Sequence, residues 1–337
     1  MNAPIAYPHE TSPAPGVAVR LAPGVEWLCM PLPFALNHIN LWLLADGDGY
    51  AAIDTGFAQD PIKEAWKSAL SERRLTRVIV THCHPDHLGL AAWLEHETGA
   101  GLWIAQGEYL AAQMMLEQIA GYRISAMVEF FGAHGLDQAR IDGLVQRGNG
   151  YKRGVPEIPA TYQRLFHDQR LRIGDHEWRT IVGHGHAPEH MSLYCAELGV
   201  LISGDMLLPR ISTNISVMAS TPCADPLGLF LASIDSFRAL PEDTLVLPSH
   251  GRPFRGLHAR VDQLHAHHAQ RCELLLATCR GTPKSAAELI PVLFDREIPD
   301  PHQTMFAMGE SIAHLNYLEH QGSMKRITEN GSIRYVS

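Results

Sequence analysis

The chain has 337 residues, of which 46% are hydrophobic, and its formal net charge is -9. This length and apolar content suffice for a large buried core and predict about two domains. Because a chain this acidic has no general electrostatic attraction to nucleic acids or anionic membranes, its charge argues against both as partners.

Residues 1–20 predict a flexible tail. Their Pro- and Ala-rich start lacks the basic residues and the apolar run of a secretory signal. No later stretch reaches the roughly 20 apolar residues of a membrane span. The six cysteines are scattered without a CxxC pair, which is typical of reduced thiols. We therefore expect a cytoplasmic protein.

Residues 21–255 predict an α/β domain in which short apolar strands alternate with helices. Residues 105–147 predict a helical insertion within it. A turn at Asp54-Thr55-Gly56 follows the third strand, and a His-rich loop follows the fourth. The predicted strands are Val25–Cys29, Ile39–Leu44, Tyr50–Ile53, Arg77–Val80, Leu171–Ile173, Trp178–Val182, Met191–Cys195, Val200–Ser203 and Thr244–Leu247.

Residues 256–337 predict a second, small domain. Three helical stretches precede a hairpin whose turn is Asn330-Gly331, a strong hairpin signal. Three helices followed by a β-hairpin is the order of a winged helix. We interpret the histidines of this region as surface or packing residues, because most lie in helical stretches. They are His258, His265, His267, His268, His302, His314 and His320.

The His-rich loop carries three imidazoles and a carboxylate within six residues, namely His82, His84, Asp86 and His87. Imidazole nitrogen and carboxylate oxygen are the donors that zinc and similar divalent metals accept. His82 and His84 alternate along an extended loop and can point the same way, whereas Asp86 and His87 lie further round. The loop therefore predicts ligands for two adjacent metal ions.

A complete two-metal site needs donors from elsewhere in the chain. His186, Asp205 and His250 are each the first good ligand after an apolar strand, and Gly or Pro flanks each of them. Strand ends with small residues bring together side chains that are distant in sequence. We therefore expect these three donors to converge on the His-rich loop.

The segment HCHPDH (residues 82–87) resembles the HxHxDH signature of the metallo-β-lactamase superfamily. Four further segments match its other motifs in the same order: IDTG (53–56), GHAPEH (185–190), SGD (203–205) and SHG (249–251). The resemblance covers about residues 20–255. It implies an αββα sandwich and a glyoxalase II-like metal site.

The resemblance also implies which residues bind which metal. His82, His84 and His186 would hold one ion, Asp86, His87 and His250 the other, and Asp205 would bridge them. Diiron flavoprotein relatives usually carry Glu at the position of His84, so the chain resembles the hydrolytic branch.

Four neighbouring residues have two interpretations each. Asp54 either caps a turn or, as the resemblance implies, accepts a hydrogen bond that orients a ligand imidazole. His190 either supports the ligands or faces the substrate. His184 competes with His186 as a ligand, although the GHxxxH pattern favours His186. Cys83 points away from the metals if His82 and His84 share a face.

These residues predict a dinuclear metal-dependent hydrolase. Two divalent ions, Zn²⁺ with Mn²⁺ or Fe as alternatives, would bridge one hydroxide after lowering the pKa of water toward ~7. Asp86 would orient that hydroxide or carry its proton to the leaving group. The chain has no nucleophile elbow, phosphate-binding loop or dinucleotide-binding motif that would support different chemistry.

The substrate class rests on weaker signals. The predicted insertion carries four aromatic residues, Tyr109, Tyr122, Phe130 and Phe131. If the insertion forms a lid over the active site, these residues favour a small ester, thioester or lactone as the substrate. The C-terminal module resembles the winged helix of LACTB2-like superfamily members, which cleave single-stranded RNA, so a nuclease or phosphodiesterase is the alternative.

The charges of that module argue against the nuclease. Residues 256–337 contain eight Lys or Arg against nine Asp or Glu, whereas a nucleic-acid face needs a basic stripe. We expect this module instead to form a wall of the substrate pocket or to mediate a homodimer. Two further alternatives are a mononuclear iron persulfide-type dioxygenase and a binding protein with a structural metal.

Overall fold

The computed structural model describes residues 4–34, 36–294, 296, 298 and 300–337. Within them the chain divides into two compact units. Unit 1 comprises Met1–Leu116, Tyr151–Thr213 and Ser233–Val261, and unit 2 comprises Glu117–Gly150, Asn214–Ala232 and Asp262–Ser337. Among the described residues, no helix is long and apolar enough to span a bilayer.

The first sheet of unit 1 has its strands in the order of the sequence. They are β1 (Val19–Ala22), β2 (Val25–Pro31), β3 (His38–Asp46), β4 (Gly49–Ile53), β5 (Leu75–Ile79), β6 (Leu102–Ala105) and β7 (Tyr162–Leu165). β1 to β4 pair antiparallel, and β4 to β7 pair parallel. Parallel pairing places the carboxyl ends of β4, β5 and β6 at one edge, where ligands bind in open α/β sheets.

The second sheet follows the order β12-β11-β10-β9-β8. Its strands are β8 (Arg170–Ile173), β9 (His176–Gly183), β10 (His190–Cys195), β11 (Val200–Gly204) and β12 (Leu245–Pro248). β8 to β11 pair antiparallel, whereas β11 and β12 pair parallel. The carboxyl ends of β11 and β12 therefore also lie side by side.

Alternation along the strands builds two cores. On β2, Trp27 belongs to a cluster that draws side chains from both sheets, such as Trp178. The next residue, Leu28, points to the opposite face. It joins a cluster that includes Ile62 and Leu94 from helices. The sheets therefore share one core, and helices cover the outer face of the first sheet. This confirms the predicted α/β fold.

In unit 1, helices lie in the connections between β4, β5, β6 and β7, the parallel strands of the first sheet. They are α1 (Asp60–Ala69), α2 (Pro85–Leu88), α3 (Ala91–Thr98), α4 (Gln106–Leu116) and α7 (Gly150–Gly154). α2 begins at Pro85, a residue well suited to the first turn of a helix because it has no N–H to leave unpaired. The extended backbone of the His-rich loop ends there.

The predicted helical insertion forms several separate helices. Its first, α4, belongs to unit 1, and the others group with the C-terminal region in unit 2. They are a 3₁₀ helix (Ala120–Tyr122), α5 (Ile124–Ala133) and α6 (Gln138–Arg147). The boundary expected near residue 255 and the lid role stay predictions. Tyr109 stacks on Tyr162 with centroids 4.0 Å apart, and Phe131 is buried.

The remaining elements run toward the C-terminus. They are α8 (Pro226–Asp235), a 3₁₀ helix (Ser236–Ala239), α9 (Leu257–Thr278), α10 (Ala286–Phe294), α11 (Pro301–His320), β13 (Lys325–Glu329) and β14 (Ser332–Val336). The hairpin turn has positive φ at Asn330 (49°) and Gly331 (78°), as Asn-Gly permits. Helices followed by this hairpin match the expected order, and the winged-helix assignment stays a prediction.

Candidate metal centre

The His82 loop (residues 81–87) leaves β5 and supplies donors in two directions. His84 is the last extended residue before α2, with φ -64° and ψ 151°. The Nδ1 atom of His84 lies 2.9 Å from Nε2 of His82. Asp86 and His87 lie in the first turn of α2. The change from extended loop to helix therefore separates the first pair of donors from the second.

The other donors come from the strand ends of the second sheet. His186 lies in the loop after β9, and its Nε2 is 3.1 Å from Nε2 of His82. Asp205 directly follows β11, and His250 follows the neighbouring β12. Because these two strands are parallel neighbours, the Oδ1 atom of Asp205 lies 3.5 Å from Nε2 of His250.

The seven predicted donors form two adjacent clusters. One contains His82, His84, His186 and Asp205, and the other contains Asp86, His87 and His250, with the ligand atoms of each cluster within 4.8 Å of one another. The Asp205 carboxylate faces both. Its Oδ2 lies 3.4 Å from His186 Nε2, and its Oδ1 lies 3.6 Å from His87 Nε2. The structure thus presents one carboxylate oxygen to each cluster.

The donor spacing fits divalent metal ions. Ligand bonds of about 2.1 Å in tetrahedral geometry place donor atoms about 3.4 Å apart. Neighbouring donors here lie between 2.9 Å and 3.7 Å apart. Among the described residues, the buried atoms His87 Nε2 and Asp205 Oδ1 have no hydrogen-bond partner. Buried polar atoms rarely stay unsatisfied, and bound cations would satisfy both of these.

Residues around the centre fix the tautomers of three of its imidazoles, those of His82, His87 and His250. Asp54 Oδ2 lies 2.8 Å from His87 Nδ1, and the backbone oxygen of His38 lies 2.9 Å from His250 Nδ1. The Thr81 hydroxyl lies 3.0 Å from His82 Nδ1. Each acceptor holds a proton on Nδ1, which leaves the lone pair of Nε2 directed into the centre.

Comparison with known proteins identifies the family. Residues 36–250 match the metallo-beta-lactamase superfamily, and residues 272–337 match the metallo-beta-lactamase-like C-terminal domain. The chain belongs to the metallo-β-lactamase superfamily. The first match covers β3 to β12 and all seven donors of the centre.

Three similar proteins illustrate this membership. A crystal structure of a β-lactamase domain protein from Burkholderia ambifaria is 43% identical, has a TM-score of 0.92, and covers 98% of each chain. A probable metallo-hydrolase of Bacillus subtilis, YqjP, is 21% identical over 91% of this chain and 95% of that protein. A hydroxyacylglutathione hydrolase of Albidiferax ferrireducens is 27% identical over 66% of this chain and 65% of that protein. With the His/Asp clusters, these findings confirm the predicted metal-dependent hydrolase.

The histidines of the His82 loop differ in pKa. Burial lowers the pKa of His82 well below its usual range and that of His84 to about 3. Burial also disfavours the charged form of His87, but the surrounding carboxylates, Asp54 foremost, outweigh it and raise the pKa to about 10. His82 and His84 therefore stay neutral, whereas the surroundings of His87 favour a positive charge that a divalent cation can supply.

The residues with two interpretations occupy distinct places. Asp54 has φ 63° and also accepts hydrogen bonds from the backbone and hydroxyl of Thr81. His190 is fully buried, and its Nε2 accepts a hydrogen bond of 3.0 Å from the backbone N–H of Asp205. His184 is exposed and belongs to neither cluster, and its Nδ1 lies 2.7 Å from the Pro188 oxygen. Cys83 is buried.

Two residues that support the centre, Asn40 and Tyr151, were not predicted from the sequence. Asn40 on β3 donates from Nδ2 to the backbone oxygens of Pro248 and Gly251, at 2.8 and 2.7 Å, and so holds the loop that carries His250. Tyr151 donates to the backbone oxygen of Cys83 at 2.7 Å. Neither residue belongs to a motif or follows an apolar strand by a fixed offset, so no local signal marks it.

Proposed function

We propose that this chain hydrolyses a small carboxylic thioester, ester or lactone at a centre of two divalent ions, with zinc as the preferred metal. The observation that carries the proposal is the Asp205 carboxylate, which presents one oxygen to each donor cluster. A carboxylate shared in this way would help to hold two ions close enough to act on one bond. The similarity to a hydroxyacylglutathione hydrolase supports the thioester as the first substrate to test.

Different residues of the chain would bind each of the two ions. His82, His84 and His186 would hold one ion, and Asp86, His87 and His250 the other, with Asp205 shared. When bound, two such ions supply a nucleophile at neutral pH from water and stabilise the anion that develops on the substrate. The residues Asp54, Thr81 and His38 keep the imidazole lone pairs directed inward.

Asp86 is the side chain that we assign to proton transfer. It is 20% exposed, more than Asp205 at 11% or His250 at 3%, so it borders the open side of the centre. Its Oδ2 lies 3.4 Å from His250 Nε2. Its Oδ1 is the atom that we expect to take the proton from the attacking water and deliver it to the leaving group.

An apolar surface beside the His82 loop suits an acyl substituent. Phe34 is 40% exposed and packs edge-on against Phe57, with ring centroids 5.3 Å apart. Phe57 and Pro85, the first residue of α2, both pack against Gly154. Aromatic carbon next to the metal loop favours a hydrophobic acyl group over a phosphodiester, whose charge needs basic side chains.

A reconstitution experiment tests the proposal. Metal-free protein is loaded with increasing Zn²⁺, and its activity is measured on an S-acyl thioester, a γ-lactone and bis-p-nitrophenyl phosphate. We expect thioester or lactone hydrolysis to reach its maximum at two equivalents of zinc, and the His82→Ala variant to be inactive. Preference for the phosphodiester would support the nuclease instead. Activity only with one iron and consumed oxygen would support the dioxygenase.

A further inference from the structure

A buried carboxylate joins the two loops that carry the first donor cluster. Glu108 lies in the first turn of α4 and has no exposed surface. Its Oε2 accepts a hydrogen bond of 2.8 Å from the backbone N–H of Cys83. Its Oε1 accepts one of 2.6 Å from the backbone N–H of Glu189. We infer that Glu108 is a positioning residue, which sets the distance between the His82–His84 pair and His186 and thereby the affinity of that ion.

Both bonds fall inside the metal-binding segments. Cys83 lies between His82 and His84, and Glu189 lies in the loop between His186 and His190. A shift of either peptide therefore moves a donor imidazole directly. The inference rests on the proposed two-ion centre, but it concerns a residue that contacts neither ion.

The same two loops are held from further sides. Tyr151 donates to the carbonyl of Cys83, so both the backbone N–H and the backbone C=O of Cys83 are hydrogen-bonded. Glu189 returns a bond to α4, because its Oε2 accepts from the N–H of Gly107 at 2.6 Å. A Cβ at Gly107 would lie only 2.8 Å from that oxygen, so glycine permits the approach.

Only a carboxylate can make both Glu108 bonds. Its two oxygens accept hydrogen bonds, and both partners are N–H donors. In Glu108→Gln one oxygen becomes an NH₂ group of nearly the same size, which turns toward a backbone N–H. One buried donor then loses its partner, and the loops move apart. The substitution therefore removes the second bond without creating a cavity.

The second donor cluster provides an internal reference. His87 and His250 are oriented by Asp54 and by the His38 carbonyl. Within the described part of the chain, Glu108 makes no hydrogen bond to these groups. A positioning role thus predicts unequal losses at the two ions. A role in general stability predicts equal losses.

Cobalt titration of the metal-free full-length chain tests the inference. Co²⁺ binding is followed by its visible absorption against a competing chelator, and the His82→Ala and His250→Ala variants identify the spectrum of each ion. For Glu108→Gln we expect the affinity of the ion held by His82, His84 and His186 to fall about 10- to 100-fold, the range seen when an outer partner of a ligand is lost. The other ion should bind as in the wild type. Glu310→Gln is the matched control: it exchanges a buried glutamate of unit 2 that belongs to neither donor cluster, it can keep an oxygen toward Asn214, and it should bind both ions normally.

Other outcomes are decisive. Wild-type affinity for both ions in Glu108→Gln, or the same fold loss at both, would overturn the inference. If that variant does not fold, Glu108→Asp replaces it: its shorter side chain keeps the charge but reaches only one of the two N–H groups, and the same unequal loss is expected. A wild-type protein that binds fewer than two ions would refute the proposed function itself.

Discussion

The described residues include two buried groups of histidines, and only one of these groups has the arrangement of a metal centre. In unit 1, imidazole Nε2 atoms face carboxylate oxygens while their Nδ1 atoms are held by acceptors. In unit 2, His268 and His314 bond to each other through ring nitrogens 3.1 Å apart, and His314 Nδ1 bonds the backbone oxygen of Glu310. We call these three residues the unit 2 histidine group.

The difference lies in where the carboxylate points. The Glu310 side chain accepts a hydrogen bond of 3.1 Å from Asn214. Burial lowers the pKa of His268 to about 2 and that of His314 to about 4, and it raises the pKa of Glu310 to about 7. At neutral pH the two imidazoles are therefore neutral, and Glu310 lies near the midpoint of its titration. A large number of histidines is thus a poor indicator of a metal site. A better indicator is an imidazole whose Nδ1 is held by an acceptor while its Nε2 faces a carboxylate.

Removing the shared carboxylate charge should have the largest effect. We expect Asp205→Asn to lose at least one ion and to lower kcat/KM by more than the roughly 100-fold cost of losing an outer partner, because the amide supplies one oxygen for two ions. His268→Gln, the matched substitution in unit 2, should retain both ions. Elemental analysis of both purified variants measures this, and two ions in Asp205→Asn would contradict the bridging role.

The donor set could be inferred from the sequence for a physical reason. Each of His186, Asp205 and His250 follows an apolar strand, and strand ends at one edge of a sheet converge whatever the loops contain. The Glu108 contacts have no such signal, because they join residues 25 and 81 positions away in sequence. Helical periodicity at 117–150 likewise shows that a face is buried but not which part of the chain covers it.

Changing the acceptor that orients His87 should have the next largest effect. In Asp54→Asn the amide oxygen can still accept from the N–H of Thr81, and the NH₂ group then faces His87 Nδ1. His87 would have to move its proton to Nε2, the atom directed into the centre. We expect zinc affinity to fall about 10- to 100-fold, measured by competition with a chelator. Unchanged affinity would show that packing alone orients the ring.

Glu310 tests the unit 2 histidine group through the pH dependence of stability. Because burial raises its folded pKa to about 7 from 4.5, its stabilising contribution is present below pH 4.5 and is lost as the pH rises through 7. Glutamine resembles the protonated acid. We expect Glu310→Gln to be more stable than the wild type at pH 8, by on the order of 2–3 kcal/mol, and similar to it at pH 4.5. Urea unfolding at both pH values measures the difference, and a constant difference would exclude this titration.

His268 should produce the smallest change, with the opposite pH dependence. Burial foremost, then the neighbouring His314, His267 and Arg271, lowers its folded pKa. The stability that depends on its neutral form is present above the unfolded pKa near 6.5 and is lost as the pH falls. Between pH 7 and pH 5 that loss is on the order of 2 kcal/mol, and His268→Gln should escape it. Because the other titrating groups are common to both proteins, the stability of His268→Gln relative to the wild type should rise by that amount as the pH falls from 7 to 5. Urea unfolding of both proteins at both pH values measures this difference. A variant that follows the wild-type curve would mean that His268 is already protonated in the fold, and the unit 2 histidine group would then resemble the metal centre more closely than its geometry indicates.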